Sequence, residues 1–535
     1  MVPLSAFKRS IKNHTIAKLL RLFHTLRYLR PRQVVYQLYY RATGRLTANH
    51  AARMLVEQEG GGAQVQREVS EQKPAPVSFG FLNREVSFSS PEKIDWNYAA
   101  NGKLWTYNLN YFEFLQSMSP DESLALINAW IVKENTHKDG WEPYPLSLRL
   151  VSWITFFVRT GQEPTEVVSA SLHRQYTALW TKLEYHLGGN HLLENALALT
   201  LSAHYLADED GHRRATRLLT TELEDQYLPD GAHYELSPMY HIILLDRMLT
   251  VYHSLTTNLA PATAPPEITK TLARSLSLQL GWLRAFTTKD GRYADFNDAT
   301  AGIAPSVSDL TQRAAELRIK TEPVTLGACG YRRWNAGPYD LWIDAAAIGP
   351  NDIPGHAHAD NLTFVLHCND RPVVVDPAIS TYEKNDRRAW ERSTQAHNTV
   401  TVGGRNSSDV WGGFRVGRRA VTRLERETEN TLTASHNGYG LVHRRTFDLS
   451  AKGLEITDVL TRAETGTVRF HFHQHLTPHL TAEGCSVGGL SISWTEGEAR
   501  LVPYERAVGW NELRPAWCLE VVFRAEVKFH LASNS

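Results

Sequence analysis

Cysteine is scarce: Cys329, Cys368, Cys485 and Cys518 are the four in 535 residues, with no close spacing between them. That excludes both a disulfide scaffold and a CxxC metal knuckle and leaves four free thiols as the expectation. Net charge is missing too, since 57 Lys plus Arg balance 57 Asp plus Glu. No global field gathers nucleic acid or any other polyanion, so an acidic ligand has to be held by a local cleft. No stretch reaches the roughly 18 uninterrupted apolar residues of a spanning helix. Near the start, charges interrupt every apolar run before a secretory h-region forms, and a cytoplasmic protein is expected.

A local absence is as informative. The first 50 residues carry ten Lys or Arg and no acid, the first carboxylate being Glu57. Ile16, Leu19, Leu20, Phe23, Leu26 and Leu29 recur at helical spacing among Lys18, Arg21, Arg27 and Arg30, which describes a basic amphipathic helix. It either touches anionic lipid or a membrane-bound partner, or packs on the main body with its charges solvated.

An apolar content of 42% is enough for two sizeable cores, so two or three domains are expected. Residues 57–80 turn to Gly, Gln, Ser, Pro and charge and read as a linker. From there to about Pro323 the 3.6-residue period predicts helices over 121–134, 147–159, 166–187, 191–206, 212–226, 240–257 and 267–286. After Gly330 the period becomes two: YDLWIDAAAI, LTFVLHC, RPVVVDP, NTVTVGG, GLEITDVL, TVRFHFHQHL, LSISW and CLEVVFRAEVKFHL read as strands. An antiparallel sandwich or stacked sheets follow. The expected division is a basic segment and linker over 1–80, a helical domain over 81–330 and a sheet domain over 331–535.

Four patches concentrate chemistry. In GGNHLLENALAL, two glycines end one helix while Asn190 and His191 open the next, where free N–H groups favour an anion; Glu194 lies on the same face, and Asn190 reads equally as a simple N-cap. In PDGAHYELSPMYH, His233, Tyr234, Glu235, Tyr240 and His241 surround one loop-to-helix junction, with Ser237 and Pro238 as its start. In PGHAHADNLTF, His356 and His358 alternate on an extended chain and point the same way. His358, Asp376 and His397 are read as an N, N, O set that zinc accepts, against scattered polar strand ends. The fourth patch, LWTYNLNYFEFL with GWEPYPLSLRLVSWI, offers aromatic faces and a guanidinium suited to a sugar groove, and equally suited to helix packing. Tyr107, Asn108 and Arg149 are the residues singled out there.

The order W-x-Y-N-L, PYPxSLR, GGNHxxEN, HYExSPMYH, GHAHADxLxF, VVVDP and AHNTV, spread over about residues 100–420, resembles the heparinase II/III family of polysaccharide lyases. The resemblance implies an α+β multidomain protein, an incomplete α/α toroid followed by an antiparallel β-sandwich. It also implies β-elimination on an acidic, uronic-acid-containing polysaccharide or oligosaccharide. By similarity Asn190 and His191 neutralise the uronate carboxylate, with Glu194 protonated or orienting His191. Tyr240 serves as acid, base or both, His356 is the second proton-transfer group from the sheet side, and Tyr234, Glu235 and Tyr382 join the substrate contacts. His358, Asp376 and His397 match the family's ligands for one zinc ion, whose role is chiefly to fix the loop carrying His356. Without a signal segment the chain looks like members linked to bacterial exopolysaccharide metabolism. Two rivals remain: a zinc hydrolase in which HAHAD is an HxHxD opening of a parallel barrel, and a non-catalytic polysaccharide-binding or assembly factor.

Overall fold

The computed structural model describes residues 18–44, 76–257 and 266–534. The expected amphipathic helix is present over 18–26, and a second helix, Pro31–Ala42, follows it with Pro31 at its first turn. Ile16 and most of the expected linker lie outside the described residues. The end of that linker is a strand: Val77–Phe81 pairs with Arg84–Phe88 around a two-residue turn at Leu82 and Asn83, both at positive φ. Phe79 and Phe81 from this hairpin pack on Phe114 and Trp105 of the helical half.

The helical half places Pro120–Val132, Pro143–Thr160, Glu166–Thr181, Gly189–Tyr205, Glu209–Gln226, Pro238–Thr256 and Pro266–Phe286 close to the seven predicted spans, and adds Lys103–Tyr111, for which no helix is predicted. Short connections fold successive helices back on one another, giving an incomplete α/α toroid. Gly189–Tyr205 runs through its middle with nearly every side chain buried, which explains its small and apolar composition rather than a one-sided stripe.

The C-terminal half is antiparallel throughout. HAHAD therefore leads into an antiparallel strand, Phe364–Cys368, and not into the parallel barrel that the hydrolase reading requires. A four-stranded sheet ordered Tyr331–Ala336, Tyr339–Asp344, Phe364–Cys368, Arg371–Val374 joins the two halves. Its residues alternate between faces. Trp342 and Val365 enter the core of the helices, while Leu341, Ile343, Phe364 and Leu366 enter the core of the remaining sheets. Coverage on both faces accounts for the unbroken apolar run LWI, with the buried Asp340 and Asp344 at the two ends of that strand.

An eight-stranded sheet supplies Leu432, Phe447, Ile456 and Phe529 to that second core, and the sheet containing Thr465–His471 and Glu512–Arg524 supplies Val468, Phe470, Leu519 and Val521. These facing layers make the β-sandwich. CLEVVFRAEVKFHL is two strands, Glu512–Arg524 and Glu526–Ser533, in different sheets. Ala525 between them has a φ of 68°, and that left-handed residue redirects the chain.

Candidate active site

A groove of about 1410 Å³ runs between the toroid and the sheet half. Tyr107, Asn108, Asn190, His191 and Tyr240 line it from the helical side, and His356 and Tyr382 from the other. The site is assembled where three chain segments meet.

The first is the start of Gly189–Tyr205. Gly188 and Gly189 have φ of 76° and 60°, and a Cβ on Gly189 would lie 2.3 Å from Glu235 Oε1. Only glycine lets the helix begin against that carboxylate. Glu235 accepts from the Asn190 backbone N–H at 2.7 Å and from Asn190 Nδ2 at 3.1 and 3.0 Å. It is a buried cap on the helix N-terminus, lying behind Asn190 and not in the groove lining. His191 Nδ1 donates to Glu184 Oε1 at 3.0 Å. Burial disfavours charge on His191, but Glu184 outweighs it and holds the imidazole pKa above its ordinary value.

The second segment is the start of Pro238–Thr256. Ser237 Oγ accepts from the Tyr240 N–H at 3.2 Å and donates to the Asp298 carbonyl at 2.6 Å, so Tyr240 sits in a fixed first turn. Its ring stacks on His356 with centroids 3.9 Å apart, and its hydroxyl is 3.0 Å from that of Tyr382. Burial pushes the Tyr240 phenol above its usual range, with the Tyr382 hydrogen bond opposing it.

The third is the HAHAD loop, and its organiser is Asp298. This carboxylate accepts from His356 Nδ1 at 2.9 Å, from His358 Nε2 at 2.8 Å, and from both Arg388 Nη groups, Nη2 at 2.7 Å. Burial works against its charge, but Arg388 and the two histidines overcome it and hold its pKa well below the usual carboxylate range. With Nδ1 facing Asp298, Nε2 is the His356 nitrogen on the Asn190 side, 3.5 Å from Asn190 Nδ2 and 3.3 Å from Glu235 Oε2. Arg392 donates to the Ala357 carbonyl at 2.8 Å and pins the same loop.

Below this loop, His358, Asp360 and His397 bring ligand atoms within 4.8 Å of one another. His358 Nδ1, Asp360 Oδ2 and His397 Nε2 are all buried without a hydrogen-bond partner, and two imidazoles with a carboxylate are a zinc donor set. Burial pushes the Asp360 carboxyl up to about 6, a cost that a bound cation removes. Asp376 stands one step back: its Oδ2 accepts from His397 Nδ1 at 2.8 Å and its Oδ1 from the Ala378 N–H at 3.0 Å. The residues therefore fit a metal, with Asp298 and Asp376 orienting the two imidazoles.

Besides Glu235, which caps the helix instead of contacting the groove, and Asp376, which is replaced by Asp360 in the candidate metal cluster, three residues singled out in the sequence lie elsewhere. Arg149 is fully buried, 4.0 Å above the Trp130 ring, and donates to Gln175 at 2.8 Å and to the Gly140 carbonyl at 2.7 Å; it holds helices together and does not reach the groove. Glu194 pairs with Arg247, Nε–Oε2 3.2 Å, so the carboxylate that orients His191 is Glu184 instead. Burial pushes Glu194 up to about 7 against the pull of Arg247. Tyr234 faces a separate depression shared with Arg30 and Asp352. Asp298, Arg388 and Glu184 were invisible in the sequence, because each is defined by a partner 90, 58 or 7 residues away that no local pattern announces.

Two family models cover most of the chain: Heparinase II/III N-terminus over residues 22–317 and Heparinase II/III-like, C-terminal over 318–521. A heparin-sulfate lyase of Bacteroides thetaiotaomicron is 24% identical over 333 residues, 54% of this chain and 46% of that protein. One from Pedobacter heparinus is 27% identical over 311 residues, 51% and 46% of the two chains. The chain thus spans about half the length of the curated relatives it matches. Among solved structures, heparinase III aligns with a TM-score of 0.64 at 16% identity, covering 82% of this chain and 79% of that one. Heparan sulfate lyase HepC from Pedobacter heparinus aligns at 0.51 and 18% identity, covering 82% and 78%. At these identities the likeness is one of fold.

Proposed function

Because the chain belongs to the heparinase II/III family, we propose that it is a polysaccharide lyase (EC 4.2.2.-) that cleaves a uronic-acid polysaccharide by β-elimination. The observation that carries this reading is the convergence of Asn190, His191, Tyr240 and His356 on one groove, from both halves of the molecule.

The C5 proton of a uronate is weakly acidic, and its removal requires the neighbouring carboxylate to take up negative charge. Asn190 and His191, at the positive end of a helix, neutralise that carboxylate. His356 Nε2, the nitrogen on the Asn190 side, takes the C5 proton. The electron pair forms the C4–C5 double bond, the C4–O4 bond breaks, and Tyr240 delivers its proton to O4. Burial keeps the Tyr240 phenol protonated near neutral pH, which suits the acid role. Tyr382 hydrogen-bonds to Tyr240 and stabilises the phenolate left behind. Zinc held by His358, Asp360 and His397 would supply positive charge that neutralises the buried carboxylate and ties down the HAHAD loop.

The groove also bears on the substrate. Arg41, Lys103, Arg247, Arg415 and Arg419 line it beside Glu113, Asp246, Asp352 and Glu383. Arg247 is engaged by Glu113 and Glu194, and Lys103 by Glu142 at 2.8 Å. A nearly neutral groove suits a sparsely charged, unsulfated uronate chain, such as a bacterial exopolysaccharide, better than a densely sulfated one.

The test is incubation with sulfated and unsulfated uronate polymers, following reducing ends and ultraviolet absorbance of the conjugated C4–C5 double bond together. Both signals rise in step with an unsulfated polymer. Reducing ends without absorbance would establish hydrolysis, and neither signal with any polymer would leave a binding protein.

A further inference from the structure

Sixteen large apolar side chains are exposed among the described residues, and nine of them fall between Leu19 and Tyr39. Such a density on one segment marks a surface that something covers. The second helix, Pro31–Ala42, has two opposed faces, whereas in the helix over 18–26 the groove-lining Leu22 and Leu26 edge the same apolar face as Leu19 and Phe23. Leu22, Leu26, Leu29, Gln33 and Gln37, spaced by three or four residues, line the groove. Leu19, Phe23, Val35 and Leu38 do not, and they are 61, 60, 61 and 61% exposed.

The arm is fastened through its inner side to both halves of the molecule. Arg30 pairs with Asp225 of the toroid at 3.0 Å and with Asp352 at 2.8 Å, Arg21 pairs with Asp409 of the sheet half at 2.9 Å, and the Tyr40 hydroxyl donates to the Leu183 carbonyl at 2.6 Å. Arg419 stacks over Tyr28 at 4.0 Å. Its position is set by these contacts, and the outer apolar face takes no part in them.

Charge identifies what covers that face. Arg21, Arg30 and Arg32 are engaged by acids of the body, whereas exposed Lys18 and Arg27 pair with no carboxylate among the described residues. No acid occurs before Glu57 to repel an anionic partner. Apolar and aromatic side chains flanked by cations that no carboxylate neutralises among the described residues, on helices held to the body by other contacts, are the chemistry of an interfacial element on acidic lipid.

We propose that the outer face of residues 18–42 docks on an anionic lipid surface, with Leu19, Phe23, Val35 and Leu38 entering the interface, so that one wall of the groove lies against the membrane. The docking holds or fails independently of the reaction above, because it involves none of the groove-lining residues.

The full chain is sedimented with vesicles of phosphatidylcholine alone and of phosphatidylcholine mixed with phosphatidylglycerol, at low and high salt. Two double variants accompany it, Phe23→Ser with Leu38→Ser and Lys18→Glu with Arg27→Glu. The expected result is partition onto anionic vesicles about tenfold above neutral ones, weakened by salt and reduced about tenfold in each double variant, with unchanged circular dichroism. Wild-type protein that stays in the supernatant with anionic vesicles overturns the proposal, as does unaltered partition of both double variants. A wild-type dimer in analytical ultracentrifugation that the Phe23/Leu38 variant dissociates assigns the face to a second copy and overturns it equally.

Discussion

Two buried clusters in this molecule are built from the same parts, an aspartate, an arginine and two histidines. In the sheet core, Asp458 accepts from Arg445 Nε at 2.7 Å and Nη2 at 2.9 Å and from His443 Nε2 at 2.7 Å, and His443 Nδ1 is 3.0 Å from His436 Nε2. The chain of hydrogen bonds then closes, with the Gly438 N–H donating to His436 Nδ1 at 3.2 Å and Arg445 Nη1 donating to the carbonyls of Leu362 and Asn398. At the groove, Asp298 gathers Arg388, His356 and His358 in the same fashion, but the chain stays open. His356 reaches the groove wall, and His358 Nδ1 has no partner. Composition does not separate a structural cluster from a functional one; the presence of unused lone pairs at its end does.

That contrast can be broken experimentally. The two largest effects are expected to be similar in size and opposite in kind. Tyr240→Phe lowers turnover on the cleaved polymer by about 10³-fold while thermal unfolding stays close to wild type. Asp458→Asn leaves Arg445 buried without its counter-charge and lowers unfolding free energy in denaturant titrations by about 3–5 kcal/mol, with kcat/KM per folded molecule unchanged.

A smaller effect that moves both readouts is expected at the open cluster. Asp298→Asn lowers kcat and retained metal by about 10–100-fold, measured by steady-state kinetics and elemental analysis, and lowers stability as well because Arg388 loses its partner. If only stability moved, Asp298 would belong with Asp458 as a structural residue.

The smallest effect is on pH dependence. Burial disfavours the Asp458 carboxylate, but Arg445 and His443 outweigh it and bring the pKa down to about 2. A carboxyl with a depressed folded pKa stabilises the protein above its unfolded value near 3.9 and loses that contribution as pH falls through its folded pKa. The stability advantage of wild type over Asp458→Asn therefore shrinks by about 2 kcal/mol between pH 4 and pH 2 in denaturant melts.

Much of the architecture was legible because it rests on periodicity. The helices from Pro120 to Phe286 and the strands from Tyr339 onward follow the apolar spacing that a buried face imposes. The hairpin at Val77–Phe88 was lost in a stretch read as linker, since Gly and Ser dilute its alternation. At the site, residues on helix starts and in the HAHAD loop were visible from capping and turn chemistry. Arg149 misled for a physical reason: an arginine between aromatic rings reads the same whether the rings face a sugar or Trp130 and Trp141 of the core. Asp298 and Glu184 escaped because a carboxylate in a loop gains its meaning only from the histidine that folding brings to it.

The central claim is that Tyr240 from the toroid and His356 from the sheet half act as one proton-transfer unit across a shared groove. A double-mutant cycle of Tyr240→Phe and His356→Asn, measured as kcat/KM on the cleaved polymer, tests this most directly. The account predicts strong non-additivity, with the double variant little slower than either single one. Losses that multiply independently would contradict it.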